Sequence, residues 1–143
     1  MALIHAIYTS IFQEGLKPDA LEAILEKSRE NNEKQQITGM LIYASGLFLQ
    51  LIEGEEQAVE ALLTNIKEDQ RHYGYAPLVK EPISQRSFSD WSMGFAEEKP
   101  EALGKILGLE GALGAQELFE KLKTTKGWPR LFLEHYAERV KKG

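Results

Sequence analysis

The middle of the chain carries two apolar runs that predict a β-hairpin. Residues 37–44 and 47–52 are apolar at nearly every position, and only Ser45 and Gly46 separate them. A Ser-Gly pair between two strand-like runs is typical of a tight hairpin turn. Because neither run alternates with polar residues, we expect both faces of this strand pair to be covered.

The rest of the pattern predicts the element order β-α-β-β-α-β-β. Strands are expected at 3–10, 78–84 and 89–96 besides the hairpin. Helices are expected at about 18–32 and 55–69, where apolar residues recur every three or four positions. This order predicts an α+β, ferredoxin-like sheet with one extra strand and both helices on one face.

After Pro100 the strand-like apolar runs give way to short segments with helical spacing, which predicts a helical tail. Short helices are expected at 101–107, at 115–123 and from Trp128 onwards. We therefore divide the chain into a domain at 1–97 and a C-terminal helical cap at 98–143, which should cover the bare face of the sheet or bind another chain. The apolar residues suited to this are Leu103, Ile106, Leu107, Leu118, Phe119, Leu122, Leu131 and Phe132.

Composition and charge narrow the classes of function. The chain has 143 residues, no cysteine and a net charge of −5. The acidic balance argues against binding to nucleic acid or to anionic membranes, and the lack of cysteine excludes disulfides, thiolate catalysis and Cys-zinc sites. The three histidines have no metal-ligand spacing, and no phosphate-binding glycine motif is present. The N-terminus does not have the pattern of a signal peptide, and no apolar run reaches the roughly 18 residues that span a membrane. We therefore expect a cytoplasmic protein.

A glutamine inside an apolar strand is the strongest sign of a specific site. Gln50 has Phe48, Leu49 and Leu51 as neighbours. A buried amide without partners costs about 1–3 kcal/mol. Gln50 therefore requires a hydrogen-bond partner, either in a structural network or in a binding site. Tyr8 on the first strand is a candidate partner, although it can equally be a core aromatic residue.

Other polar and aromatic residues near the ends of elements allow two interpretations each. Asn31 and Asn32 can cap the first helix, or the second of them can hold the edge of a ligand. The Asp-Gln-Arg-His run at 69–72 can be solvated charge at a helix end or can donate to a phosphate or a polar ring. Trp91 and Met93, expected to share a face of the last strand, can be core residues.

Six short motifs occur in order over residues 3–95. They are I-Y-T-S at 7–10, S-R-E-N-N at 28–32, I-T-G-M-L at 37–41, F-L-Q-L-I-E-G at 48–54, D-Q-R-H at 69–72 and W-S-M at 91–93. Together they resemble the motifs of the BLUF domain, a blue-light sensor that uses FAD. The short tail is similar to that of stand-alone BLUF proteins, which have no covalently attached effector.

The resemblance implies that FAD binds non-covalently, with its ring between the two helices and above the sheet. Ile24 and Ile66 resemble the aliphatic residues that sandwich the ring, Asn32 the amide at its N3–O4 edge, and Arg71 the residue near O2. The further cofactor-binding residues that it implies are Ser28, Asn31, Phe48, Asp69 and His72. Asn65 stands where some relatives have a basic residue for the phosphates, so FMN or riboflavin could also bind.

The resemblance also implies a mechanism. Tyr8 and Gln50 would form the photoactive pair, with the amide bridging the phenol to the N5 and O4 atoms of the flavin. Rotation or tautomerisation of Gln50 would strengthen the hydrogen bond to O4 and shift the absorption to the red. Trp91 and Met93 would compete for the place beside Gln50 and pass the change to the tail.

The function implied is that of a non-enzymatic receptor. We expect a homo-oligomer that signals to a partner protein in trans. Two alternatives remain: a flavin-dependent redox enzyme on the same fold, and a degenerate module that only binds a protein.

Overall fold

A computed structural model describes residues 2–12, 17–69, 74–109, 111 and 114–142. Within these ranges the chain forms five strands and five helices. They are β1 (Leu3–Ile11), α1 (Pro18–Gln35), β2 (Thr38–Ala44), β3 (Leu47–Glu55), α2 (Glu56–Glu68), β4 (Ala76–Pro82), β5 (Gly94–Glu97), α3 (Pro100–Ile106), α4 (Ala115–Thr124) and α5 (Trp128–Lys142). The predicted α+β order is confirmed.

The strands form one mixed sheet in the order β4-β1-β3-β2-β5. β1 pairs antiparallel with β3 and β4, and β2 pairs antiparallel with β3 and parallel with β5. β1 and β3 are the central pair, and their register sets Tyr8 directly opposite Gln50. Because directly opposed residues project to the same face of a sheet, the two polar side chains meet there.

The sheet has a hydrophobic core on each face, as the apolar runs predict. On one face α1 and α2 contribute Leu25 and Val59 to a core with Leu41 and Ile52. On the other face the tail covers the alternate side chains of the same strands. Six of the tail residues predicted to do so are buried in this second core: Leu103, Leu107, Leu118, Phe119, Leu122 and Phe132.

The last strand is shorter than predicted, and this changes the placement of Trp91 and Met93. β5 begins at Gly94, and residues 84–93 form bends and turns. Because this segment is not extended, its side chains do not alternate as in a strand. Trp91 packs against the core on the tail side, whereas Met93 is buried in the core under α1 and α2. The prediction that they share a face is therefore wrong.

A buried carboxylate fixes that irregular segment. Glu53 is fully buried, and its oxygens accept hydrogen bonds from the backbone N–H groups of Ser87 and Phe88 at 2.9 and 2.6 Å. Arg86 donates to the backbone carbonyl of Glu53 at 3.1 Å. The bonds from Ser87 and Phe88 satisfy backbone N–H groups that lie outside any strand.

The first helix is longer than predicted, and its cap is not the asparagine pair. α1 ends at Gln35, and Gln36 adopts the left-handed conformation with a φ of 56°. The N–H of Gln36 donates to the carbonyl of Glu33 at 3.3 Å, and the N–H of Ile37 to that of Asn32 at 2.9 Å. This is a Schellman arrangement. The side chains of Asn31 and Asn32 therefore have no capping role, and that interpretation is wrong.

Candidate functional site

A cavity of about 520 Å³, counting the part open to solvent, lies between α1 and α2 above the middle of the sheet. Eight of the predicted site residues line it: Tyr8, Ile24, Ser28, Asn32, Phe48, Gln50, Ile66 and Asp69. Three more lining residues, Phe12, Leu41 and Leu62, were not predicted. They are apolar residues beside or within strands and on the apolar face of α2, and nothing in the sequence separates them from other core positions.

A chain of three side chains runs from the floor of the cavity to the segment before β5. The Tyr8 hydroxyl donates a hydrogen bond to Oε1 of Gln50, and Nε2 of Gln50 donates to Sδ of Met93 at 3.2 Å. Tyr8 and Gln50 are only 4% and 6% exposed. Both ends of the Gln50 amide thus have partners, which removes most of the cost of burying it.

The surroundings of Tyr8 keep its hydroxyl neutral. Burial raises the pKa of Tyr8 far above its ordinary value, and electrostatic repulsion from Tyr75 and Asp69 adds to this. The ring of Tyr75 lies 5.3 Å from that of Tyr8, centroid to centroid, and burial also raises the pKa of Tyr75. Tyr8 is therefore a hydrogen-bond donor throughout the physiological pH range.

Two polar side chains of α1 reach the segment before β5. Nδ2 of Asn32 donates to the carbonyl of Ser92 at 2.8 Å, and Nε of Arg29 donates to the carbonyl of Met93 at 3.0 Å. An amide carries two N–H donors and an acceptor oxygen. One donor and the oxygen of Asn32 are thus left for the cavity that it lines. Arg29 was not singled out in the sequence, because an exposed arginine on a helix has no distinguishing signal.

The remaining predicted site residues lie elsewhere. Asn31 is exposed and borders a neighbouring cavity together with Lys34 and Asn65. Trp91 lines an open groove at the β5 edge of the sheet rather than the cavity. Arg71 and His72 lie outside the described residues.

The lining of the cavity suits a flat ring system with one hydrogen-bonding edge. Ile24 and Ile66 come from the two helices that face each other across it. Apolar side chains favour the faces of such a ring. Asn32 and Gln50 supply amide groups, which can pair with alternating donors and acceptors on a ring edge. An isoalloxazine ring has this shape and chemistry, so the residues present fit a flavin.

Two negative observations concern the described residues alone. No helix in those ranges is both long and apolar enough to cross a bilayer. In the same part of the chain, no three His, Asp or Glu side chains are arranged to hold a metal ion.

Comparison with known proteins agrees with this geometry. The family model of BLUF, "Sensors of blue-light using FAD", matches residues 3–94. Photoactivated adenylate cyclase subunit beta of Euglena gracilis is 35% identical over 80 residues, which is 55% of this chain and 9% of that protein. The structure of BlsA in its photo-activated state is 28% identical with a TM-score of 0.79, covering 94% of each chain.

The dark-state structure of BlrB, a BLUF protein, is similar over nearly the full length. It is 27% identical with a TM-score of 0.77, and the match covers 96% of this chain and 97% of BlrB. The chain spans about a tenth of the length of the Euglena cyclase subunit. Since the family model accounts for more than half of the chain, the chain belongs to the BLUF family, whose members sense blue light using FAD.

Proposed function

We propose that this chain is a blue-light receptor in which the FAD ring lies in the cavity between α1 and α2. The observation that carries the proposal is the hydrogen-bonded chain that starts with Tyr8 and Gln50 on the cavity floor and ends at Met93. It connects a neutral phenol to an amide that also faces the cavity, and such an arrangement can respond to a change in the bound ring.

The cofactor would be held by residues of both helices and of the sheet. Ile24 and Ile66 would contact the two faces of the ring, and Asn32 would pair with its polar edge. The residues proposed to complete the cofactor site are Ser28, Asn31, Phe48, Asp69, Arg71 and His72. FMN or riboflavin would use the same ring contacts. They could replace FAD because Asn65 brings no positive charge to the phosphates of FAD.

A bound flavin would supply the absorption of blue light and an excited state able to accept an electron. Tyr8, kept neutral by burial, would donate that electron and pass its hydroxyl proton to Oε1 of Gln50, to which it is hydrogen-bonded, and both would return to Tyr8 afterwards. An amide has a donor end and an acceptor end. Rotation or tautomerisation of Gln50 therefore changes which group it presents to the cavity without breaking a covalent bond.

Met93 makes this rearrangement easy to reverse. In the structure its sulfur accepts from Nε2 of Gln50, and a thioether is a weak acceptor. Turning the amide over would therefore lose little at this end, and the Tyr8 hydroxyl would change from donating to Oε1 to accepting from Nε2. The balance between two arrangements of Gln50 is then set by a few weak contacts.

The chain is proposed to pass its signal on by contacting another protein, without catalysing a reaction. The chain would act without enzymatic activity of its own, as a cytoplasmic homo-oligomer that signals in trans to a partner protein. The parts proposed for this are a flavin domain at 1–97 and a cap at 98–143. The similarity to a photoactivated cyclase subunit supports a role in controlling another activity.

Absorption spectroscopy on the purified protein tests the proposal. We expect a yellow protein whose flavin bands shift to the red under blue light and return in the dark. Bleaching that depends on an added oxidisable substrate would instead indicate a flavin redox enzyme. A colourless protein after expression with ample flavin would exclude both.

A further inference from the structure

The contact between Gln50 and Met93 is too weak to hold Met93 in place by itself. The hydrogen bond to the sulfur is 3.2 Å long, and a thioether accepts poorly. Met93 also precedes β5, which begins at Gly94, so the sheet ladder does not fix it. Packing in the core under α1 and α2 surrounds its side chain, and its backbone is held by other groups.

Three successive carbonyl groups of this segment each have a separate donor. The carbonyl of Trp91 accepts from the backbone N–H of Gly39 at 3.1 Å. The carbonyl of Ser92 accepts from Nδ2 of Asn32 at 2.8 Å, and that of Met93 from Nε of Arg29 at 3.0 Å. Arg29 and Asn32 are three residues apart on α1 and so share one face of the helix.

Arg29 is separated from the cavity, unlike its neighbour on that face. Asn32 lines the cavity as well as binding Ser92. Arg29 is exposed and lines the open groove beside β5, where Asp90 and Phe95 are its neighbours. A change at Arg29 can therefore move Met93 without altering the lining of the flavin cavity.

We propose that Arg29 is a positioning residue of the light switch, which holds the sulfur of Met93 against the amide of Gln50 through its bond to the Met93 carbonyl. Without this bond, arrangements in which Met93 is withdrawn from Gln50 become more populated. The inference rests on the proposed function, since it concerns the same amide.

Nuclear magnetic resonance of methyl-labelled methionine tests the structural half of this proposal. The chain has three methionines, and Met93→Leu identifies the signal of Met93. In the dark, flavin-loaded protein, we expect Arg29→Ala and Arg29→Gln each to shift or broaden that signal. Lys27→Ala removes an exposed cation two residues earlier on α1 and should leave it unchanged.

The rate of dark recovery tests the functional half. One net hydrogen bond corresponds to about a fivefold change in an equilibrium or rate constant. We expect both Arg29 variants to change the recovery rate by about that factor, while the flavin dissociation constant and the rate in Lys27→Ala stay at wild-type values. If either Arg29→Ala or Arg29→Gln folds poorly, the other variant is used to measure the Met93 signal and the recovery rate.

The outcomes separate this inference from the proposed function. If wild-type protein shows the red shift but both Arg29 variants keep the wild-type Met93 signal or recovery rate, the positioning role is wrong and the receptor function stands. If wild-type protein shows no red shift, the receptor function fails, and the Met93 signal alone then decides whether Arg29 anchors that residue.

Discussion

The phenol of Tyr8 is held in one protonation state by its position in the sheet. It lies on a central strand with its hydroxyl bonded to Gln50, and burial raises the pKa of Tyr8 well above the ordinary value for tyrosine. A neutral phenol and an amide are both uncharged, so the pair can be buried without the cost of an ion. The same burial makes the pair sensitive to strongly alkaline pH.

The first prediction concerns that alkaline sensitivity. Above pH 10 an unfolded tyrosine loses its proton while buried Tyr8 keeps it, so the native state binds more protons than the unfolded state. The free energy of unfolding should therefore fall by up to about 1.4 kcal/mol per pH unit because of this residue. Urea unfolding at several pH values should show a shallower fall in Tyr8→Phe. Equal slopes in the two proteins would contradict the burial of an uncharged phenol.

The second prediction concerns Gln50. Gln50→Leu removes the amide that connects Tyr8 and Met93 but keeps a side chain of similar size in an apolar strand. We expect a folded, yellow protein with no light-induced red shift, because no group remains that can exchange a donor for an acceptor. Absorption spectra before and after blue light measure this. An intact red shift in the variant would rule out the proposed mechanism.

The residues of this site differ in how far the sequence could reveal them. Gln50 stands out because an amide among apolar neighbours needs a partner, and the structure supplies Tyr8 and Met93. Arg29 could not be found, because its bond to Met93 depends on a segment 64 residues further along the chain. Exposed arginines on helices are ordinary, so no pattern marks this one.

At the scale of elements, α1 supports the site through its length. The helix continues to Gln35, which brings Asn32 inside the last turns, where its side chain points to the segment before β5. The sequence placed the helix end at Asn32 because two asparagines are good terminal residues. Gln36 adopts the left-handed conformation instead, a role that asparagine or glycine fills more often.

The third prediction concerns Asn32. Asn32→Ala should weaken flavin binding by about 1–3 kcal/mol, since it removes a polar partner of the ring edge and leaves the Ser92 carbonyl unpaired. Glu30→Ala is the matched control, because Glu30 is an exposed residue of the same helix and does not line the cavity. Flavin titration measures both affinities. Equal affinities in wild type and Asn32→Ala would show that Asn32 is purely structural.

The fourth prediction concerns the pairing of β2 with β3. Gly39 lies so close to β3 that an added Cβ would fall on the backbone carbonyl of Leu51. Gly39→Ala should therefore lower the free energy of unfolding by roughly 1–3 kcal/mol, as overpacking does. Gly114→Ser is the control, since a Cβ there meets nothing within 4 Å and serine is a good N-cap. A wild-type urea midpoint in Gly39→Ala would show that the strands can separate at no cost.

The elements of the sheet were predictable where their patterns are regular. The hairpin of β2 and β3 follows from two apolar runs around Ser45 and Gly46, and α1 and α2 follow from apolar residues at helical spacing. β5 was misplaced because Trp91 and Met93 alternate with Ser92 as residues of a strand would, whereas Glu53 bonds the backbone of Ser87 and Phe88 in a turn. A long-range contact of this kind overrides local preference.

At the scale of the whole molecule, residues 88–93 connect the two cores of the sheet. Phe88 and Trp91 belong to the core beneath the tail, and Met93 to the core beside the cavity. The rings of Phe88 and Phe132 meet edge to face with their centroids 6.5 Å apart. Phe88 therefore links the segment that carries Met93 to α5.

The tail is held together by polar as well as apolar contacts. The Tyr136 hydroxyl donates to the carboxylate of Glu98 at 2.7 Å, and Nε1 of Trp128 donates to the carbonyl of Leu122 at 3.1 Å. The sequence predicted that apolar tail residues would cover the second face, because an exposed sheet face of this size is a hazard. It could not predict which helix would touch Phe88, since such contacts depend on how three short helices pack together.

The fifth prediction is that light changes the tail more than the sheet. The bonds of the central strands are those of a regular ladder and resist opening, whereas α3 to α5 are short helices whose amides open locally at lower cost. If Gln50 rearranges and Met93 moves, Phe88 and Trp91 transmit the change to the tail core. Because the hydrogen bonds involved are each worth about 1 kcal/mol, we expect exchange rates after Pro100 to change by about fivefold. Hydrogen exchange measured by mass spectrometry on dark and illuminated protein tests this, with the light-insensitive Gln50→Leu as the control. Identical exchange after Pro100 in both states, with changes confined to residues around the flavin, would show that the signal leaves the domain by another route.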